Sequence, residues 1–566
     1  MTTSLTASLL RRFDDDILGH RRAIISLSQQ RNALLPANRL PPEILAAVFQ
    51  LYVASVHGTL SQISQAQSPF EWIAGVTHTC HYWREVALRT PMLWTTIAVA
   101  HCSTKVIEAF VQRSGTAPLV IDTARETEEE GVALFVPSDR LSLLRSVFGR
   151  IGSLRVQLTN ERYPILFPQE PANTHTRLHT LVMSLPDEIT QFLEVPFPLA
   201  DETRVPKHTI SSLQHLDVRR YCITWDSTLF PETLTRLCID NMFGGSPMAD
   251  VVKVISNLIA LQELSLENVF NPVRDTEVPI QVPNRAPLPS LAIISLFERG
   301  SLAAPYRFLD RFQLPSLRDL EVIANNYRAP PDLASDLAAL RILIPRIVVP
   351  RAPIRRLGID LATETLSLQY TDPQSGVIQN FSFVFTLDIV RGGPVIELFA
   401  VFCESLAVGG ATDVEINLPD NAFPLIPTRL ALFLRTMENL NLSHTLSVSA
   451  TLDTRPYLPD ATLAHIITHQ LRDGTFLLAN LRSLVIGRVL FRDVDRQYAS
   501  GTYDGPDFTE HPEDTSFIDG LHDALDVRRR AGHRLRELRL ENSSRALHEQ
   551  DLVRFEENCE HVIRLL

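Results

Sequence analysis

Lysine is nearly missing from this chain. Of its 53 basic residues only Lys105, Lys207 and Lys253 are lysine, and the other 50 are arginine. Basic charge is also short overall: 65 acidic residues outnumber it, giving a net charge of −12. Wrapping nucleic acid needs a basic surface, so a nucleic-acid partner is not expected. Cysteine is sparse. Cys80, Cys102, Cys222, Cys238, Cys403 and Cys559 are scattered without a CxxC pair, as expected of buried thiols in a reducing compartment. No apolar run approaches the roughly 20 residues that span a bilayer, and residues 1–12 hold no stretch long enough for a signal peptide. The expectation is a soluble protein of the cytoplasm or nucleus with no membrane partner. The sequons at Asn380, Asn441 and Asn542 are then chance. Glycine is scarcer than proline, 22 against 37, which suits many short elements separated by rigid turns. What is abundant is apolar side chain, 45% against 21% charged, enough to bury a large core and to exclude wholesale disorder.

The pattern over 8–34 predicts a helix. Leu10, Ile17 and Ile24 recur at seven residues, as do Phe13, His20 and Leu27. Asp14, Asp15 and Asp16 lie early in it and Arg21, Arg22 and Arg31 late, as the helix dipole favours. The three aspartates read as a solvated helix start rather than a metal site. The apolar stripe is expected to pack on the domain that follows, with pairing to another chain as the alternative.

After it, Pro41 and Pro42 open a second helix, since proline suits a first turn. Ile44, Leu45, Val48, Phe49, Tyr52, Val53 and Val56 give it one broad apolar face. A polar stretch at 57–69 breaks it. A further helix is predicted through Trp72, Ile73, Val76, Cys80, Trp83 and Ala87, stopped at Thr90-Pro91, and 93–99 reads as a short strand.

Leu40-Pro41-Pro42-Glu43-Ile44-Leu45 with Val48-Phe49 resembles the opening of an F-box. Cys80-His81-Tyr82-Trp83-Arg84-Glu85-Val86-Ala87 with Thr90-Pro91-Met92-Leu93-Trp94 resembles its close, in the form common among fungal F-box proteins with leucine-rich repeats. The resemblance spans about 60 residues, and the polar insert between the halves is longer than in a compact F-box. It implies a substrate-receptor subunit of an SCF-type cullin-RING ubiquitin ligase. Residues 36–100 would dock on the SKP-family adaptor, and through it on a cullin. The adaptor-binding residues implied are Leu40, Pro41, Ile44, Leu45, Phe49, Val76, Cys80 and Trp83, some of which are expected to serve the module's own core. Read from its residues alone, the face is more apolar than a domain of some 65 residues buries unaided. The lysine scarcity then has two readings. One is a codon bias toward arginine. The other is a subunit that sits beside a ubiquitin-loading enzyme and offers few amines for self-modification.

Beyond residue 101 an apolar-x-x-apolar-x-apolar pattern recurs. It occurs at Ile151/Leu154/Val156, Leu178/Leu181/Met183, Leu213/Leu216/Val218, Leu234/Leu237/Ile239, Leu261/Leu264/Leu266, Leu288/Leu291/Ile293, Leu317/Leu320/Val322 and Ile354/Leu357/Ile359. Later copies are Met437/Leu440/Leu442, Leu481/Leu484/Ile486 and Leu535/Leu538/Leu540. The middle steps of 27, 27 and 29 residues match leucine-rich repeats. Helical patterns at 248–256, 428–437 and 461–471 sit between strands. Leu366/Leu368/Tyr370 and Phe381/Phe383/Phe385 alternate as strands where the strict pattern lapses, Val414/Ile416/Leu418 is a degenerate copy, and 493–512 reads as a surface loop. The fold class expected is α+β: an amphipathic helix at 1–35, a helical F-box at 36–100, and an irregular leucine-rich-repeat solenoid at 101–566.

Signals of catalysis are weak. There is no phosphate loop, no GxGxxG after a strand and no GxSxG elbow. His465 and His469 stand one helical turn apart but lack the glutamate of a zinc protease motif. The acidic run at 126–130 reads as a solvated turn. No catalytic residue, metal or cofactor is expected. The recognition surface would be the outward positions of the repeat strands, reading an unknown substrate protein. A ligase-independent interaction scaffold is the rival from another class, and an enzyme with a site near 360–420 is the third.

Overall fold

The computed structural model describes residues 2–59, 70–99, 102–123, 136–157, 163–167, 177–184, 210–221, 225–227, 229–240, 245–270, 285–299, 304–326, 333–347, 356–360, 365–371, 378–387, 401, 413–418, 445–450, 463–464, 467–470, 474–476, 478–487, 516–541 and 549–565. It is an α+β protein that divides into two compact units, Met1–Leu234 and Thr235–Leu566.

The first unit opens with α1 (Thr2–Ala33), a one-turn helix at Pro36–Arg39, α2 (Pro42–Thr59), α3 (Glu71–Thr77) and α4 (His81–Leu88). It continues through strands β1 (Thr96–Ala98), β2 (Leu119–Asp122), β3 (Ile151–Val156), β4 (Thr180–Ser184) and β5 (His215–Arg219), with α5 (Thr104–Arg113), α6 (Ser138–Ser146) and α7 (Tyr163–Leu166) in the first three gaps. The strands pair in parallel in chain order, so the sheet begins inside the span that resembles an F-box. Register explains the repeated triplets. Leu154 lies beside Leu181 and Leu181 beside Leu216, while Val156, Met183 and Val218 form the next row. All six are buried. Residues two apart on a strand share a face, so each triplet sends its last two members into one core. The single helix read over 72–87 is two helices. Cys80 is extended and caps α4, its sulfur accepting the Trp83 amide hydrogen at 3.5 Å, so the chain turns at 78–80. Leu93 and Trp94 belong to a one-turn helix ahead of β1 rather than to the strand.

The second unit holds β6 (Arg236–Asp240), β7 (Glu263–Glu267), β8 (Ala286–Pro287), β9 (Ile293–Arg299), β10 (Phe312–Gln313), β11 (Asp319–Asn326), β12 (Arg356–Asp360), β13 (Thr365–Thr371), β14 (Ile378–Leu387), β15 (Asp413–Leu418), β16 (Thr445–Ala450), β17 (Ser483–Gly487), β18 (Leu535–Glu541) and β19 (Cys559–Leu565). Its helices include α8 (Met248–Ile255), α9 (Ala304–Leu309), α10 (Leu333–Ile347), α11 (Ser516–Arg530) and α12 (Glu549–Asn558). Among the described residues, strands β8 and β10 pair only with each other. The remaining strands form a sheet in the order β6-β7-β9-β11-β14-β13-β12-β15-β16-β17-β18-β19, parallel except at β13. This corrects the irregular leucine-rich-repeat solenoid expected over 101–566. A solenoid adds strands in chain order, whereas here β11 pairs with β14 and the antiparallel β12–β13–β14 meander reverses the order. A second correction is one of frame. Ile294, not Ile293, lies beside Leu264, and Leu296 beside Leu266, so the buried triplet is Leu291/Ile294/Leu296 rather than Leu288/Leu291/Ile293. The helix expected at 248–256 is present as α8. Met437/Leu440/Leu442, the helix at 428–437, the loop at 493–512, the acidic run at 126–130 and His465 lie outside the described residues, as do Ile354 and residues 461, 462, 466 and 471.

Arginine has a structural use here. The Arg150 guanidinium donates to the carbonyls of Val111 (3.1 Å) and Ala117 (3.2 Å) and to Ser114 Oγ (2.7 Å). Arg528, fully buried, donates to the carbonyls of Ile467 (2.9 Å) and Leu478 (2.8 Å). Each ties carbonyls from separate segments with one planar fork, which a lysine ammonium does not match in geometry.

Candidate functional site

The residues implied by the F-box resemblance lie just before α2 and on or between α2, α3 and α4. Leu45, Phe49 and Val53 recur at four residues along α2 and are buried. Phe49, only 2% exposed, lies 5.2 Å from the ring of Trp83 on α4. Trp72, Trp94 and Phe110 form an adjoining aromatic cluster, with Trp72–Trp94 centroids 5.3 Å apart and Trp94–Phe110 5.2 Å. The Trp94 indole N–H donates to the Ala87 carbonyl at 2.9 Å, and the Arg113 guanidinium sits 4.4 Å over the same ring. These contacts bury large aromatic area and lock the helices in place.

The opposite face of α2 is uncovered. Ile44 is 52% exposed, Val48 47% and Leu51 72%, spaced i, i+4, i+7 along one stripe. Leu40 and Pro41 are exposed just before the helix. Tyr52 flanks the stripe, and its ring reaches Gly75 on α3, where an added Cβ would lie 3.4 Å from the tyrosine oxygen. The Tyr82 hydroxyl donates to the Leu40 carbonyl at 2.7 Å, tying the segment before α2 to α4. Cys80 reaches Asn38 Oδ1 at 3.8 Å. A groove of about 240 Å³ opens beside this tie, lined by Pro42, Glu43, Tyr82, Glu85, Val86, Arg89 and Thr90.

The eight implied residues thus divide. Leu40, Pro41 and Ile44 are on the surface, Cys80 and Trp83 are half-buried, and Leu45, Phe49 and Val76 are in the core. The indole N–H of Trp83 has no acceptor among the described residues. Val48 and Leu51 complete the exposed stripe. The i, i+4, i+7 spacing from Ile44 was the signal that could have found Leu51.

The exposed apolar stripe is of a kind that suits binding. Among the described residues, no group of three or more His, Cys, Asp or Glu side chains is placed to hold a metal ion, and no helix is long and apolar enough to cross a membrane. The large proton-affinity shifts elsewhere come from burial: the Cys102 thiol is pushed up to about 11, the Cys559 thiol to about 12, and the Arg528 guanidinium down to about 10. Burial disfavours the charged form in each case. No protein-family model matches the chain and no curated protein matches it, so the site is read from its own chemistry.

Proposed function

We propose that this chain is the substrate-receptor subunit of an SCF-type ubiquitin ligase. The α2–α4 module docks on a SKP-family adaptor, and through it on a cullin. The strand ladders take the substrate protein. The observation that carries the proposal is the uncovered stripe of Ile44, Val48 and Leu51, on the helix whose opening residues resemble an F-box. An apolar stripe on a helix whose other face is packed is suited to a partner's hydrophobic groove. The chain itself then needs no catalytic residue. It speeds ubiquitin transfer by holding substrate near a charged conjugating enzyme.

Affinity purification from cells, with Ile44→Glu and Leu51→Glu as controls, tests this. The native chain is expected to retrieve SKP-family adaptor and cullin. Each variant is expected to remain folded and lose about 2–4 kcal/mol of adaptor binding, the loss typical of an interface hot spot. Failure of the native chain to bind purified adaptor refutes the proposal, and the rival, a ligase-independent scaffold, takes its place.

A further inference from the structure

α1 (Thr2–Ala33) runs for 32 residues, about 48 Å at 1.5 Å per residue, and every residue from 6 to 27 is exposed. The stripe expected to pack on the following domain does not do so among the described residues. A lone helix in water has only marginal stability of its own. Yet this one presents Leu10, Ile17 and Ile24 at one heptad position, and Phe13, His20 and Leu27 at another three residues on. These are the a and d positions of a coiled coil, and five of the six are exposed large apolar residues.

We propose that α1 pairs antiparallel with α1 of a second copy of this chain as a two-stranded coiled coil. The charges select both the partner and the direction. Setting Leu10 opposite Leu27 of the second copy places Phe13 opposite Ile24 and Ile17 opposite His20. The symmetry of the pair repeats each layer. In this register Arg31 meets Thr6, and the helices overlap over nearly their whole length. Asp14, at a flanking position, faces Arg21 of the second copy, and this attraction also occurs twice. The Asp14–Asp16 block and the Arg21–Arg22 block lie on either side of the helix middle, so reversal sets acid beside base. A parallel pair would instead stack His20 on His20 and Arg31 on Arg31, like against like at the core positions. The pairing does not depend on the receptor reading and stands or falls separately from it.

Sedimentation equilibrium of the full chain tests the pairing. The expected mass is twice 63.6 kDa. Ile17→Glu places a charge in two core layers and is expected to weaken the dimer by at least about a hundredfold. Its unfolding transition should otherwise match the native chain, because position 17 is exposed in the single chain. Direction is read by mixing Leu10→Cys and Leu27→Cys chains under oxidation and mapping the new disulfide by mass spectrometry. A link between positions 10 and 27 of different chains is expected. A native chain that stays monomeric at tens of micromolar, a dimer indifferent to Ile17→Glu, or a link from position 10 to itself would each overturn the proposal.

Discussion

Replacing Phe49 by alanine separates the core of the α2–α4 module from its surface. Phe49 is 2% exposed and its ring lies 5.2 Å from that of Trp83. Truncating a buried phenylalanine costs about 3–5 kcal/mol through lost transfer energy and the cavity left behind. The cavity would open directly against Trp83, whose indole N–H has no acceptor among the described residues, so a central figure of about 4 kcal/mol is expected. At about 1.4 kcal/mol per decade, amide protection in α2 and α4 should fall by roughly a thousandfold, or vanish where the module's opening energy is smaller. Native-state hydrogen exchange read by mass spectrometry resolves the two helices. Ile44→Glu, one turn away on the exposed stripe, should change protection by less than about threefold, because exposed substitutions stay within about 0.5 kcal/mol. A loss under tenfold for Phe49→Ala would show that the ring is not load-carrying in the core, and the division of α2 into a packed and an open face would be wrong.

Three further outcomes are expected. Arg528→Met leaves the carbonyls of Ile467 and Leu478 without their buried donors and should cost about 2–4 kcal/mol, read as faster exchange in α11; a cost under 1 kcal/mol would count against the buried fork. Cys559 keeps its proton in the native state up to about pH 12, whereas the unfolded thiol ionises near 9. The native state therefore binds more protons above pH 9, and stability should fall with rising pH by up to about 1.4 kcal/mol per pH unit. Urea titrations between pH 8 and 10.5 should show a shallower fall in Cys559→Ala, and equal slopes would contradict the burial. Asn268 sits just past β7 with φ of 52°, a left-handed conformation, and its backbone N–H donates to the Phe297 carbonyl at 2.7 Å. Asn268→Gly should be nearly neutral and Asn268→Val should cost about 1–2 kcal/mol in thermal unfolding, since a β-branched residue resists that conformation.

The strand triplets were legible because a half-buried strand alternates, and rows such as Leu237, Leu264, Ile294 and Leu320 are what alternation builds when strands pair in register. The frame at 288–296 was ambiguous because Leu288, Leu291, Ile293, Ile294 and Leu296 satisfy the pattern in two ways. Only the neighbouring strand chooses between them. The break between α3 and α4 was hidden because Cys80 is apolar enough to continue the helical stripe, while its sulfur in fact caps the next helix. On α2 the apolar residues nearly encircle the helix, so periodicity located a helix without saying which side the chain would cover. Hence Phe49 and Ile44 looked alike in sequence and differ in exposure. The same limit applied to α1, where a heptad stripe reveals that something must cover it but not what.

The order of strands in the second unit has a consequence for synthesis on the ribosome. β7 pairs with β6, β9 with β7 and β11 with β9, so each of these strands docks on one already made. β12 emerges next, carrying a similar Leu-x-Ile pattern, and β11 then offers it a bare edge that belongs to β14. Correct assembly requires that edge to stay open until β14 has been translated and turned back through β13, so premature docking of β12 is the natural kinetic trap of this chain. Slow translation across residues 356–387 is expected to favour that trap, and fast translation to relieve it.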